Sequence, residues 1–414
     1  MADAGTEADD GDSANAQATL FTVGGKVWDA AEVLPSWSSC VEVGWHATSG
    51  WQEGRMAADA GSAASHRMWA GRRPLATRIV LAPDQDEQPG YDYRLVEEVG
   101  HGGMGVVWKA RQAALDREVA LKRIRSWNES DAELEAEFLA EATITGALDH
   151  PAIVPIHEVA RDQHGEPFYT MPLVAGEAWS ESLPFLTEEE NLAIFDRVCD
   201  AIAFAHAHDV LYLDLKPDNI LLGPFGLVLV VDWGMAGFAS RLARLPVQGK
   251  ARGTPAYMAP EQVLGDPRRL STRTDVYQLG AILHQLVTGN PPHAGSDFAA
   301  ALLACRDNVI DRPDHPGTLA AIARRALATL PAERHRDVLE LQAAVRSYRE
   351  ERVSLSLAMI GRRTLTQALA SRTDEDFSAA ISQFQAALAR WPGNDGAHAG
   401  LAEARHAYAE AAAQ

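Results

Sequence analysis

Asp214, Lys216 and Asn219 fall within one short run, Leu213-Asp214-Leu215-Lys216-Pro217-Asp218-Asn219, and Asp232 follows in Val231-Asp232-Trp233-Gly234. In-line phosphoryl transfer from Mg-ATP to a hydroxyl needs a group to accept the hydroxyl proton and oxygen ligands for metal. It also needs a cation to balance charge on the migrating phosphoryl group. Two aspartates, a lysine and an asparagine at this spacing supply that set.

Upstream, Gly100-His101-Gly102-Gly103-Met104-Gly105-Val106-Val107 matches GxGxxGxV. Glycine lets backbone amides approach phosphates without a Cβ clash. Such a turn alone is a weak signal. A dinucleotide fold would place a helix directly after it, whereas here Val119-Ala120-Leu121-Lys122 follows. Downstream come Gly253-Thr254-Pro255-Ala256-Tyr257, Ala259-Pro260-Glu261, Thr274-Asp275-Val276-Tyr277 and Pro331-Ala332-Glu333-Arg334. In this order the runs resemble a bacterial Hanks-type (eukaryotic-like) Ser/Thr protein kinase over roughly residues 91–350.

The resemblance implies roles for individual residues. Asp214 would orient and deprotonate the substrate hydroxyl, Lys216 would neutralise the γ-phosphate, and Asn219 and Asp232 would hold Mg2+. Lys122 would hold the α- and β-phosphates of ATP, with Glu141 as its orienting carboxylate and Glu133, Glu135 and Glu137 as competitors. Gly100, Gly102, Gly103 and Gly105 would cradle the phosphates. Val107, Ala120, Met171, Val174 and Leu221 complete the nucleotide site, with Val107 capping the adenine and Met171 as gatekeeper. Pro172 stands where an acidic residue is usual, but its carbonyl can still accept the adenine amino group. The Lys-Pro-Asp-Asn form and Thr254, expected to bond Asp214 and Lys216, are Ser/Thr-type features. Glu261 is expected to pair with Arg334, and Asp275 to accept backbone amides of the catalytic loop.

Two departures stand out. The family's usual His-Arg-Asp reads Tyr212-Leu213-Asp214 here, which removes the arginine that normally grips activation-loop phosphate. The usual Asp-Phe-Gly reads Asp232-Trp233-Gly234; Thr145, small and one turn past Glu141, could make room for the larger Trp233 and Tyr212. Between Met235 and Gly253 the only hydroxyl side chain is Ser240. His206 and His208 diverge on a helix, and His150 and His157 lack partners at ligand spacing, so all four read as core or surface histidines.

Around these residues the chain must supply a strand-rich lobe and then a helical one. Alternation from Tyr93 to Val99, a return strand at 106–110, a strand at 119–124 and helical spacing over 132–148 precede a mainly helical pattern after Thr187. The expected fold is α+β and bilobal, protein-kinase-like, with a short all-α extension. Residues 1–90 read as mostly disordered from their Ala, Gly, Ser and Asp content, with order beginning near Tyr91. Trp28, Trp37, Trp45, Trp51 and Trp69, half of the chain's 10 tryptophans, resist that reading and leave a buried domain, peptide docking or a misassigned start open. Over 354–414, Ala380, Phe384, Ala387 and Pro392 fit the second helix of a tetratricopeptide repeat, and Leu401 and Ala402 the next first helix; a plain helical hairpin fits as well. One and a half repeats would have to dock on the kinase lobe or on another chain.

Composition narrows the rest. A formal net charge of −20 over 414 residues argues against general affinity for nucleic acid or anionic membrane. Cys40, Cys199 and Cys305 are far apart, which suits reduced thiols. No apolar run approaches the ~18 residues a spanning helix needs. The expected protein is a cytoplasmic Ser/Thr kinase using ATP and Mg2+ on protein substrates, with self-association or a protein partner at its C-terminal helices. A pseudokinase scaffold and a small-molecule kinase are the rivals; the first must explain the intact Lys122, Asp214, Asn219 and Asp232, the second the 253–261 segment.

Overall fold

Side-chain alternation builds the first lobe. In the computed structural model, which describes residues 20–23, 26–29, 75–85, 89–101, 105–125, 132–247, 251–293, 295 and 297–412, strand β3 (Tyr93–His101) pairs with β4 (Gly105–Gln112), and β4 with β5 (Arg117–Ile124). β6 (Glu158–Arg161) and β7 (Pro167–Pro172) follow, β7 lying antiparallel to β5. Because neighbours on a strand face opposite ways, Val119 and Leu121 enter a core with Tyr93, Leu95 and Phe168, while Lys122 is left on the other face. There it meets helix α1 (Ala132–Gly146), whose Phe138, Leu139 and Ala142 pack on Ile124 and Tyr169.

Two further strands, β1 (Ala76–Thr77) and β2 (Val80–Leu81), give the sheet the order β1-β6-β7-β5-β4-β3-β2. Order therefore begins upstream of the expected boundary near Tyr91. Two-residue strands carry no readable periodicity; they exist because the open edges of β6 and β3 offer them hydrogen bonds. A hairpin also joins Leu20–Val23 to Lys26–Asp29 within the segment expected to be mostly disordered. The rest of that expectation, with Trp37, Trp45, Trp51, Trp69 and Cys40, lies outside the described residues.

The second lobe is helical. Helix α2 (Glu188–Ala207) starts at a capping box in which Thr187 and Glu190 bond each other's backbone amides. A short helix α3 (Pro260–Val263) precedes α4 (Thr272–Thr288), which ends at Gly289 with φ +84, a left-handed turn that suits glycine. Phe195, Ile202, Leu279 and Leu283 sit in the core between α2 and α4.

Helix α5 (Val338–Ser371) runs unbroken for 34 residues, so the expected boundary between 350 and 354 falls inside one helix. Its first half buries Val338, Leu341 and Val345 in the lobe core, and its second half buries Leu365 and Ala368 against α6 (Asp374–Arg390) and α7 (Asp395–Ala412). The helix continues because its apolar face changes partner without a breaker residue. Ala380, Phe384 and Ala387 are buried in this three-helix unit, Leu401 packs at its edge, and Ala402 is exposed. Gly361 and Gly400 leave room for the Phe384 ring, since a Cβ on either would lie 2.9 and 2.3 Å from its Cε1. Phe384→Ala should destabilise the C-terminal unit by about 3–5 kcal/mol and appear in calorimetry as an earlier, separate transition.

Candidate active site

The catalytic loop is held from below by a buried carboxylate. Asp275, in the first turn of α4 and 0% exposed, accepts the Tyr212 amide at 2.9 Å and the Leu213 amide at 2.8 Å, and His206 Nε2 lies 2.7 Å from it. Leu213 is left-handed, φ +70. Its carbonyl accepts two amide donors, Gln262 Nε2 at 2.8 Å and Gln278 Nε2 at 2.9 Å, and Gln278 Oε1 accepts the Leu215 amide at 3.0 Å. The peptide leading into Asp214 is thus tied to α3 and α4 together.

So anchored, Asp214 faces the segment after Gly253. Its Oδ1 accepts the Thr254 amide and hydroxyl, each at 3.0 Å, and its Oδ2 lies 3.1 Å from Lys216 Nζ and 3.1 Å from Asn219 Nδ2. Lys216 also donates to Thr254 Oγ1 at 2.6 Å. Asn219 spends its amide nitrogen on Asp214, so its other polar atom is a carbonyl oxygen, a donor suited to a hard cation.

Across the cleft, Lys122 Nζ reaches Glu141 Oε1 at 2.6 Å and Asp232 Oδ1 at 3.6 Å, while Tyr169 donates its hydroxyl to the same Glu141 oxygen at 2.8 Å. Burial works to lower the Lys122 pKa, but Glu141, Tyr169 and Asp232 together outweigh it and hold the ammonium well above its ordinary value. Two other α1 carboxylates are engaged elsewhere: Glu135 pairs with Arg161, and Glu137 with Arg252 at 2.9 Å. Asp232, φ +58, keeps its carboxylate 53% exposed to the cleft. Trp233 next to it is buried edge-on against Tyr212, ring centres 4.8 Å apart at 89°, and the Tyr212 hydroxyl donates to the Val231 carbonyl at 2.5 Å. Thr145 is buried one turn beyond Glu141 and donates to its carbonyl at 2.8 Å.

The glycine turn joins β3 to β4. Gly100 lies across from Val107 in the register, and a Cβ on Gly105 would lie 2.7 Å from the Arg123 carbonyl. Gly102, Gly103 and Met104 lie outside the described residues. Ala120 is in register with Met171, Val119 with Pro172, and Leu221 sits on the hairpin Ile220–Gly223 and Leu227–Val230, with Val174 partly buried beside Gly223.

Within the activation segment, Gly237–Phe238 pairs with Val210–Leu211. The Ser240 amide bonds Asp209 at 3.2 Å, and its hydroxyl donates to the same carboxylate. Leu213 borders a cavity of about 190 Å³ that Arg241 and Arg252 also line. The segment ends at Glu261, held by Arg334 through two bonds of 2.7 and 2.8 Å. Arg334 is fully buried and also donates to the Ala328, Arg273 and Thr329 carbonyls, so no guanidinium proton is stranded.

Residues 93–321 match the model of the protein kinase domain. The chain belongs to the protein kinase family. Serine/threonine-protein kinase PknD of Chlamydia trachomatis is 37% identical over 297 residues, covering 62% of this chain and 31% of that protein. PknD of Protochlamydia amoebophila is 34% identical over 298 residues, covering 63% and 30%. The chain therefore spans under a third of the length of these curated relatives. No helix among the described residues is long and apolar enough to cross a membrane.

As in protein kinases generally, ATP and a divalent cation are the expected ligands, and the buried Lys122 ammonium and half-exposed Asp232 carboxylate have the charges to meet them. Gln262 and Gln278 sit beside motif residues but belong to no motif, and His206 is a partly buried histidine whose partner, Asp275, lies 69 positions away. The available signal was polarity at positions flanked by core: Gln278 lies between Tyr277 and Leu279, both fully buried. Gln278→Leu should cost about 1–3 kcal/mol, because the buried Leu215 amide loses its acceptor, and urea denaturation would measure it.

Proposed function

We propose that this chain is a Ser/Thr protein kinase that transfers the γ-phosphoryl group of Mg-ATP to protein hydroxyls in bacterial signalling. The observation that carries the reading is the Asp214–Lys216–Thr254 triangle facing a paired Lys122 and Glu141. Thr254 binds Asp214 Oδ1 while Oδ2 lies beside Lys216, an arrangement that can orient a hydroxyl and take its proton. Lys216 balances charge on the transferring group, and Lys122, fixed by Glu141, positions the remaining phosphates. Asn219 and Asp232 are the oxygen donors we assign to Mg2+, and Gly100, Gly102, Gly103, Gly105, Val107, Ala120, Met171, Val174 and Leu221 to the nucleotide. Similarity to serine/threonine-protein kinases PknD supports the Ser/Thr assignment.

A pseudokinase scaffold is disfavoured by the complete set of charged groups, and a small-molecule kinase by the ordered segment from Thr254 to Glu261. The C-terminal unit, tetratricopeptide-like, is proposed to meet a protein partner or a second copy, since α5 exposes Leu355, Met359, Ile360 and Leu369. Buried free Cys199 and Cys305 and the acidic balance fit a cytoplasmic protein without nucleic-acid or membrane affinity. Lys122→Met, Asp214→Asn and Asp232→Asn should each lower phosphotransfer by at least about 10²-fold without unfolding. Equal transfer by parent and all three, measured with labelled ATP, would sink the enzyme reading, and ATP binding without transfer would favour the scaffold.

The same reading holds that activation-loop phosphorylation does not switch the enzyme. Leu213 offers no guanidinium where a phosphate would be gripped by charge-assisted bonds worth ~1.5–3 kcal/mol each. Ser240 is already bonded to Asp209, whose carboxylate would repel a phosphate there. Arg252 is held to α1 by Glu137, a link between segment and helix that needs no phosphate. Phosphatase treatment and Ser240→Ala should both leave the rate within about twofold of the parent; a loss of tenfold or more, traced to a site between Met235 and Thr254, would refute this.

A further inference from the structure

The segment upstream of the family match does more than decorate the sheet. β1 and β2 are separated by only Arg78 and Ile79, yet they lie at opposite ends of the strand order. The match to the kinase domain begins at residue 93, so this strap lies outside the matched region. It closes the sheet on itself: β1 runs parallel to β6, β2 runs parallel to β3, and Val80 enters the core beside Tyr93 and Phe168.

Its side chains bind both edges. The Arg78 guanidinium bonds Glu158 with Nε at 2.9 Å, the Arg78 amide donates to the Arg161 carbonyl at 2.8 Å, and Tyr93 donates its hydroxyl to Glu158 at 2.8 Å. Gln163 bonds the Val80 amide and carbonyl at 2.9 and 2.8 Å. From there two routes reach α1. Arg161 pairs with Glu135 of the helix. Leu75, at the start of the strap, packs into the cluster of Phe138, Leu139 and Tyr169. Phe138 and Leu139 precede Glu141 by less than one turn, and Tyr169 shares the Glu141 oxygen that holds Lys122.

We propose that residues 75–81 are a built-in positioning strap that holds α1 so that Glu141 stays paired with Lys122. Leu75 and Arg78 are its positioning residues. The inference rests on the kinase reading for its consequence in phosphotransfer, and on packing alone for its effect on α1. Without the strap, β3 and β6 become open edges, the Arg161–Glu135 pair loses its support, and α1 is free to turn Glu141 away.

The test uses the full chain. Leu75→Ala/Arg78→Ala should lower kcat at saturating Mg-ATP by about tenfold, and restoring the charge with Arg78→Lys in place of Arg78→Ala should recover part of the loss. In a Glu141→Gln background the same double change should cost less than twofold, because the residue it acts through is already disabled. Amide exchange across 132–146 should speed up in the double variant at unchanged exchange in α4. Equal proportional losses in the two backgrounds, or none in the parent, would overturn the strap. A parent without any transfer would overturn the kinase reading instead, and unchanged exchange in α1 would then overturn the strap separately. Should the double variant fail to fold, Leu75→Ala alone, on a half-buried side chain, carries the same cycle.

Discussion

A single buried carboxylate fixes the catalytic loop, and the rest of the site depends on it. Asp275 has no solvent contact, so its charge is tolerable only because Tyr212 N, Leu213 N and His206 surround it with hydrogen bonds. Those bonds hold Leu213 in a left-handed conformation that a non-glycine residue adopts at a cost of roughly 1–3 kcal/mol. The strain has a geometric result. With amides turned down onto Asp275 and the carbonyl turned onto Gln262 and Gln278, Asp214 can only project toward Thr254. The position of Asp214 is thus made rigid by overdetermining the residue before it.

The two charge clusters of the cleft are built on different principles. Around Lys122, burial would expel the ammonium's charge, and two carboxylates and a tyrosine keep it. Around Asp214, neutral donors from Thr254 and Asn219 share the carboxylate with one lysine, so the oxygen is held without being fully neutralised. Trp233 and Tyr212 belong to the lobe core itself. Their edge-on contact is of a kind worth about 0.5–1.5 kcal/mol beyond area, and the Tyr212 hydroxyl caps the Val231 carbonyl, whose strand leads directly to Asp232. The larger aromatics thus brace Asp232 as well as the residues that lead into Asp214.

The arrangement of the candidate site was legible in the sequence because its residues come in short runs whose spacing survives folding. Asp214, Lys216, Asn219, Asp232, Lys122 and Glu141 converge where their motifs imply, and the pairing of Glu261 with Arg334, 73 positions apart, could be anticipated from resemblance alone. Glu141 and Glu137 lie one helical turn apart, and Arg252, remote in sequence, is what draws Glu137 off. Illegible features depend on distant partners or on continuity. The strap has two-residue strands whose hydrogen bonds come from sheet edges, and the long α5 hides a change of environment at a point where its own residues show no break. Gln262 and Gln278 are invisible to motif logic because their partner is a backbone carbonyl, which every residue has.

The continuity of α5 gives the molecule a mechanical feature that separate domains would lack. At 1.5 Å per residue it is about 50 Å long, and its first half is fastened to α2 by Gln342 on Asp196 and Asp200, and by Arg346 and Arg349 on Asp196 and Glu189. Helix α2 in turn carries His206, which sits on Asp275. Along this path each step is a side-chain contact with a helix behind it, without an intervening flexible linker. The C-terminal unit is locked to the middle of α5 by Ser354, which donates to the Ala387 carbonyl and accepts from Asn394. A tilt of that unit therefore has to be absorbed by bending α5 beyond the lobe core, because Val338, Leu341, Val345 and the buried Gln342 fix the first half there, with ion pairs to α2 adding about 0–1 kcal/mol each at the rim. The helix beyond the lobe core is the softer element. The buried anchor at Asp275, with three bonds in a dry core, is the stiffer one, so the geometry of the catalytic loop is insulated from motions of the extension until the α2 helix itself is moved.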